Sequence, residues 1–276
     1  MNIKIVADSG ADLLSLDGVA FAAAPLKIIT DVKEYVDDAS LDVKQMVNDL
    51  KHYKGRSSTA CPGVGDWLDA FGDAEYVIGM TITGTLSGSH NAACLAKRDY
   101  EEMYPGRRVF ILDSLSAGPE MKLLIEKLAG WIQEGFSFDE LCEKLISYHQ
   151  TTGLLFILES MTNLANNGRV SGVVANMAGL LGIRAVGRAS DHGELEMLDK
   201  CRGQKRALAT TFSRMKELGY KGGKVQISNC FNEEAALKLK ELIQTEYENA
   251  EICCYKTRGL CSFYAELGGI MIGFEK

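Results

Sequence analysis

Three times in the first 118 residues a short apolar run ends in a cluster of small, hydroxyl and acidic residues. Lys4-Ile5-Val6-Ala7 runs into Asp8-Ser9-Gly10-Ala11-Asp12-Leu13, and Tyr76-Val77-Ile78-Gly79-Met80 runs into Thr81-Ile82-Thr83-Gly84-Thr85-Leu86-Ser87-Gly88. Arg108-Val109-Phe110-Ile111-Leu112 runs into Asp113-Ser114-Leu115-Ser116-Ala117-Gly118. Apolar runs of this length read as buried strands, and the helical patterns between them point to a parallel α/β sheet. In such a sheet a ligand lies outside the carboxyl ends of the strands, where these turns gather. Ser57-Ser58-Thr59-Ala60-Cys61-Pro62-Gly63 reads as a further hydroxyl-rich loop leading into a helix around Trp67-Leu68. Together the turns predict one crevice lined with hydroxyls and backbone N–H groups.

The second turn is the most informative. Ser89 to Met103 reads as a helix with Ala92, Ala93, Leu95 and Ala96 on its inner side, which sets Ser87 and Gly88 at its N-terminus. Free backbone N–H groups and the positive end of the helix dipole favour an anion there. Gly88 admits a ligand close to the backbone, and Ser87 adds a side-chain donor. The plainer reading makes Ser87 an N-cap only.

Other chemistry finds little support. His90 follows Ser87 by three residues, but Thr85 and Ser89 occupy the glycine positions that a nucleophile elbow requires. There is no phosphate-binding G-x-x-x-x-G-K-S/T loop, and Gly63-Val64-Gly65 lacks the third glycine of a dinucleotide fingerprint. His52, His90, His149 and His192 are not spaced as metal ligands, so no metal, cofactor or catalytic residue is expected. A formal charge of −7 argues against a nucleic-acid partner. Arg169, Arg184, Arg188, Arg202, Lys205 and Arg206 are interleaved with acids and read as a solvated face. The eight cysteines include no C-x-x-C pair and read as buried thiols, not disulfides or a zinc site. Met1-Asn2-Ile3-Lys4-Ile5 enters a strand directly, with no apolar leader, and Gly179-Leu180-Leu181-Gly182-Ile183 is too short to span a bilayer. The expectation is a cytoplasmic protein with no transmembrane segment.

The fold class expected is α/β, with a parallel-sheet N-terminal domain over 1–152, a smaller α+β domain over 153–276, and the ligand between them. In the first, the helix Glu120–Glu134 buries Met121, Leu124, Ile125, Leu128 and Ile132, and Ser137-Phe138-Asp139-Glu140 opens another helix as a capping box. In the second, strands are read at 154–158, 195–199, 225–228, 252–255 and 270–274, on one sheet, with helices near 204–218 and 233–247.

In order along the chain, these segments resemble the DegV family almost end to end. Val6-Ala7-Asp8-Ser9-Gly10-Ala11-Asp12-Leu13 is similar to the family's V-T-D-S-x-A-D-L, and Pro25-Leu26-Lys27-Ile28-Ile29 with Glu34-Tyr35-Val36-Asp37-Asp38 resembles its second strand and the turn after it. Thr59-Ala60-Cys61-Pro62-Gly63-Val64-Gly65-Asp66-Trp67 resembles T-S-Q-P-S-P-G-E-F, and Leu86-Ser87-Gly88-Ser89 resembles L-S-G-T. Asp113-Ser114 followed by Gly118 resembles the third acidic-serine turn, and Leu164-Ala165-Asn166-Asn167-Gly168-Arg169-Val170-Ser171 the L-x-x-G-G-R-I-S signature.

The resemblance implies a protein that binds a long-chain fatty acid between two domains and presents it to a separate ATP-dependent fatty acid kinase. It implies that Thr59, Ser87 and Gly88 hold the carboxylate, with Ser9, Ser114 and Tyr264 as further crevice candidates, and that Arg169 and Arg202 contact the kinase. Arg169, following an Asn-Gly turn, is expected on the surface near the mouth of the cleft. Met80, Ile82, Leu86, Phe156, Ile157 and the stretch Met177–Leu181 are candidates for the tail's walls. Cys61 and Ala60 depart from the family's Gln and Ser, and Phe263-Tyr264-Ala265-Glu266-Leu267-Gly268-Gly269 replaces its H-x-G-P-G. Tyr264 or Ala265 therefore takes the place of the family's His. The alternative reading is a small-molecule hydrolase or phosphotransferase using the same crevice.

Overall fold

Four parallel strands form the N-terminal sheet in the order β2-β1-β6-β7. These are β1 (Ile3–Asp8), β2 (Ala20–Ala24), β6 (Tyr76–Thr81) and β7 (Arg108–Asp113). The computed structural model describes residues 2–171 and 182–276, so the candidate wall Met177–Leu181 lies outside the described residues. Both faces of this sheet are covered. On one, α2 (Val64–Phe71) and α3 (Ser89–Met103) bury Trp67, Phe71 and Tyr100, and Ala92, Ala93 and Ala96 allow close approach. On the other, α4 (Pro119–Glu134) and α5 (Phe138–His149) bury Met121, Leu124, Ile125 and Leu128 with Leu141 and Leu145. Pro119 opens α4, Gly135 closes it at φ 87°, and the Ser137–Glu140 capping box starts α5.

The second sheet has the order β10-β9-β8-β13-β11-β12 and is antiparallel except for β11 and β12. Its strands are β8 (Thr152–Leu158), β9 (Ile183–Ala189), β10 (Leu195–Arg202), β11 (Val225–Asn229), β12 (Ile252–Lys256) and β13 (Ile270–Glu275). The strands read at 154–158, 195–199, 225–228, 252–255 and 270–274 thus lie on one sheet, and β9 joins them although Arg184, Gly187 and Arg188 interrupt its apolar pattern. One face packs on α7 (Gln204–Glu217) and α8 (Glu233–Glu246). The opposite face meets α4: a Cβ on Gly273 would lie 2.5 Å from the Glu120 nitrogen, so the missing side chain lets α4 rest on the strand.

A third, three-stranded sheet was not foreseen. β4 (Glu34–Val36), β3 (Lys27–Ile29) and β5 (Ser58–Ala60) are antiparallel, with Thr59 opposite Ile28. The segment read as a hydroxyl-rich loop is therefore a strand at Ser58–Ala60, because its partner β3 supplies the hydrogen bonds that its own composition does not announce. This sheet packs on α1 (Val43–His52) and on α9 (Gly259–Ala265), burying Ile28, Tyr35, Met46 and Phe263. α9 belongs to the C-terminal part of the chain, yet it rests on an N-terminal sheet.

Candidate functional site

A cavity of about 360 Å³ lies between the ends of the parallel strands and the inner face of the second sheet. Alternation along β8 decides which side chains face it: Leu154, Phe156 and Leu158 line it, whereas Ile157 is buried in the core beneath α7 and α8. Ile82 and Leu86 also line it, but Met80 packs into the core under α4. The candidate walls Ile157 and Met80 are thus core residues: Ile157 because a strand offers only every second side chain to one face, and Met80 because it lies within β6 under α4, before the turn on which Ile82 and Leu86 reach the cavity. Apart from the groups described next, the lining is chiefly apolar, with Leu26, Leu195, Leu260 and Met271 among it.

At one end the polar groups converge. The turn after β6 carries Leu86, Ser87 and Gly88 into α3, which starts at Ser89 as the sequence indicates, and Ser87 Oγ accepts from Ser89 N at 3.2 Å. Across from it, Thr59 Oγ1 lies 2.8 Å from the Tyr264 hydroxyl. Burial raises Tyr264 above the usual phenol range, more than Thr59 and Arg169 lower it, so the side chain stays a neutral hydroxyl at physiological pH. Its ring lies 6.0 Å from the Arg169 guanidinium. Arg169 in turn donates from Nε to the Leu86 carbonyl at 3.3 Å and from Nη1 to the Asn167 carbonyl at 2.5 Å. Cys61 closes the ring, since a Cβ on Gly88 would lie 3.1 Å from its sulfur.

The turn that carries Arg169 is built locally. α6 (Thr162–Asn166) ends with Gly168 at φ 73°, and Arg169 N donates back to Leu164 O at 2.8 Å. Glycine adopts this left-handed conformation without strain, which folds Arg169 back over the cavity. Asn167 Nδ2 also reaches Ser57 O at 3.3 Å, tying the turn to β5. Arg169 is therefore half-buried on the cavity wall and not a free surface residue as its Asn-Gly context suggests.

Five of the sequence candidates, Thr59, Ser87, Gly88, Tyr264 and Arg169, thus meet at one end of one cavity. Three do not. Ser9 is fully buried, its Oγ accepting from Leu26 N at 3.0 Å, and Ser114 is buried with its Oγ accepting from Ser116 N at 3.2 Å. Neither reaches the cavity, because each spends its hydroxyl on bracing a neighbouring backbone N–H; the third turn meets the cavity through Leu115, Ser116 and Ala117 instead. Arg202 is exposed at the end of β10, away from the cavity wall. Of the two positions that replace the family His, both Tyr264 and Ala265 face the cavity, and Tyr264 supplies the hydroxyl. Sequence reasoning missed Cys261 on the wall, and it missed Asp8, which accepts from Ser89 Oγ at 2.6 Å; the acid of the first turn was its available signal. His90 does not approach Ser87 as a base: its ring nitrogens face Thr81 Oγ1 at 3.4 Å and Cys94 Sγ at 3.5 Å.

Among the described residues no group of His, Cys, Asp or Glu could hold a metal ion, and no helix is long and apolar enough to cross a membrane. An apolar cavity ending in hydroxyls, a helix N-terminus and a guanidinium suits an amphiphile with an anionic head.

Comparison with known proteins gives the same direction. The family model described as "Uncharacterised protein, DegV family" matches residues 2–276. A DegV domain-containing protein of Streptococcus pneumoniae is 43% identical over 279 residues, covering 100% of this chain and 99% of its own length. Among solved structures, a DegV family protein from Eubacterium eligens loaded with heptadecanoic acid is 44% identical, with TM-score 0.97 over 99% of both chains. The Streptococcus pneumoniae Fatty Acid Kinase (Fak) B3 protein loaded with linoleic acid is 43% identical, with TM-score 0.98 over 100% of this chain and 99% of that one. The chain belongs to the DegV family.

Proposed function

We infer that this protein binds a long-chain fatty acid, with the tail in the cavity and the carboxylate among Thr59, Tyr264, Ser87 and the Gly88 amide, and presents it to a separate ATP-dependent fatty acid kinase. The observation that carries this reading is the make-up of the site: a chiefly apolar cavity of about 360 Å³ with Thr59, Tyr264, Ser87, Gly88 and Arg169 clustered on its wall. Relatives 43–44% identical over essentially the whole chain hold heptadecanoic and linoleic acids, and one is named as a component of a fatty acid kinase. Each buried CH₂ contributes ~0.8 kcal/mol, so the tail supplies most of the affinity while the donors fix which end faces out. The role is binding and presentation, in the cytoplasm, by two units over 1–152 and 153–276 with the ligand between them. Arg169, beside the head, and the exposed Arg202 are the kinase contacts.

Native mass spectrometry of protein purified from a bacterial host tests the reading. A mass increment equal to a C14–C18 fatty acid, lost on denaturation, is expected. Protein that carries no lipid and fails to take up added heptadecanoic acid would overturn it. Hydrolysis or phosphorylation of a small molecule by the chain without a kinase would favour the enzyme alternative.

A further inference from the structure

Three buried acids in the first 40 residues have no part in the carboxylate seat as described. Asp8, Asp12 and Asp37 are all nearly inaccessible, and burial pushes Asp8 and Asp12 up to about 7 and raises Asp37 too. Holding carboxylates out of water is costly unless their contacts offset the lost hydration, so the contacts indicate what each acid is for. Asp8 Oδ2 accepts from Ile82 N at 2.9 Å and from Ser89 Oγ at 2.6 Å, the two ends of the loop that carries Ser87 and Gly88. Asp37 accepts from Gly259 N and Leu260 N, each at 2.9 Å, and Asp12 Oδ1 accepts from Arg258 N at 2.8 Å. Those three N–H groups begin α9, the helix that carries Tyr264. Between the acids, the Gly10 carbonyl accepts from Gly118 N at 2.7 Å and from Cys261 Sγ at 3.4 Å.

We propose that Asp8 and Asp37 are positioning residues for the ligand carboxylate: Asp8 fixes the Ser87–Gly88 turn and Asp37 fixes Tyr264, so that donors far apart in the sequence meet at one point. The proposal rests on the fatty-acid reading above. Neither acid lines the cavity; each acts through the backbone it holds. An acid is required at Asp37 because two N–H donors point at it, one to each oxygen; an amide offers one acceptor and turns an NH₂ against the other donor. The chain is also bare of side chains where these clamps close. A Cβ on Gly259 would lie 2.6 Å from Asp37 Cγ, and one on Gly10 would lie 2.3 Å from Ile82 Cγ2.

The test separates positioning of the head from general support of the fold. Delipidated parent, Asp8→Asn and Asp37→Asn proteins are titrated with heptadecanoic acid and with 1-heptadecanol, which share a tail and differ at the head. The parent should favour the acid. Each variant should lose about ten-fold or more in affinity for the acid while its affinity for the alcohol changes by less than about three-fold. Equal losses on both ligands, or no loss on the acid, overturn the proposal. Ser89→Ala, which removes one donor from Asp8, and Gly259→Ala, which displaces Asp37 without changing its charge, are milder arms if an Asn variant fails to fold. Both should show the same selective loss, and a parent-like acid affinity in both overturns the proposal. A parent that binds both ligands equally overturns the carboxylate seat and this proposal, whereas a parent that binds neither overturns the fatty-acid reading itself.

Discussion

Removing the Tyr264 hydroxyl deletes a single atom from the ring of donors, and its consequences can be worked out in both states of the protein. Within the chain that oxygen lies 2.8 Å from Thr59 Oγ1. Without ligand, Tyr264→Phe loses one hydrogen bond between neutral groups, about 0.5–1.5 kcal/mol, toward the lower end because half-buried Thr59 can turn its hydroxyl to water. With a carboxylate bound, the same hydroxyl donates to an anion, a contact of about 1.5–3 kcal/mol. Affinity for heptadecanoic acid should therefore fall by the difference, about 1–2.5 kcal/mol or about five- to seventy-fold. Binding should remain measurable, because the tail contributes roughly ten kcal/mol or more before ordering costs. Thr59→Val should behave alike, and the double variant should lose more affinity than the sum of the two, since the ligand-free pair that offsets each single loss can be broken only once. Isothermal titration of the four delipidated proteins measures the cycle. Parent-like affinity in both single variants, or strictly additive losses, would refute the placement of the carboxylate between these hydroxyls.

Ser87→Ala should weaken fatty acid binding by about 1–3 kcal/mol and leave the fold intact, as read from displacement of a fluorescent fatty acid and a thermal scan. Arg169→Ala should cost about 1 kcal/mol of stability, for the lost bonds to the Leu86 and Asn167 carbonyls, and should impair acyl-phosphate formation by the cognate kinase more than it weakens lipid binding; wild-type turnover would count against the role. Arg202→Ala, at an exposed strand end, should reduce kinase turnover with lipid affinity and melting temperature unchanged, and a parallel loss of lipid affinity would argue against a docking role. Burial raises Asp8 and Asp12 to about 7 in the fold, above the unfolded value near ~3.9. The folded state then binds more protons between those values, so this contribution is full below the unfolded value and is lost as pH rises through about 7. Melting temperature should be higher at about pH 6 than at about pH 8, with a smaller difference in Asp12→Asn; an unchanged difference in that variant would contradict the assignment.

Local pattern made the scaffold legible where each element carries its own signal. β1, β6 and β7 are continuous apolar runs, α4 is a clean helical stripe between Pro119 and Gly135, and the start of α5 is written in Ser137 and Glu140. The elements that sequence reading missed get their structure from partners. Ser58–Ala60 is a strand because Lys27–Ile29 lies beside it, and Ile183–Ala189 is a strand despite its arginines because β8 and β10 flank it. Arg184 and Arg188 can sit there because Glu159 and Glu196 meet their guanidinium groups at 2.5 and 2.7 Å. α9 was hidden for a related reason: its first N–H groups are capped by Asp37, distant in the chain, so no local capping residue announces it.

The sequence by itself determined the parallel sheet, the polar turns at the ends of its strands, the helix N-terminus at Ser87–Gly88 and the family likeness, because each is a property of a few consecutive residues. Only the tertiary structure decided which residues of those turns face the ligand cavity. Ser87 and Thr59 reach it, whereas Ser9 and Ser114 are consumed beneath it in bracing loops. It also decided that Tyr264 stands 2.8 Å from Thr59 and that Arg169 folds back against Leu86. These contacts join segments far apart along the chain, and a hydroxyl or a guanidinium carries the same local pattern whether it faces a ligand or a neighbouring carbonyl.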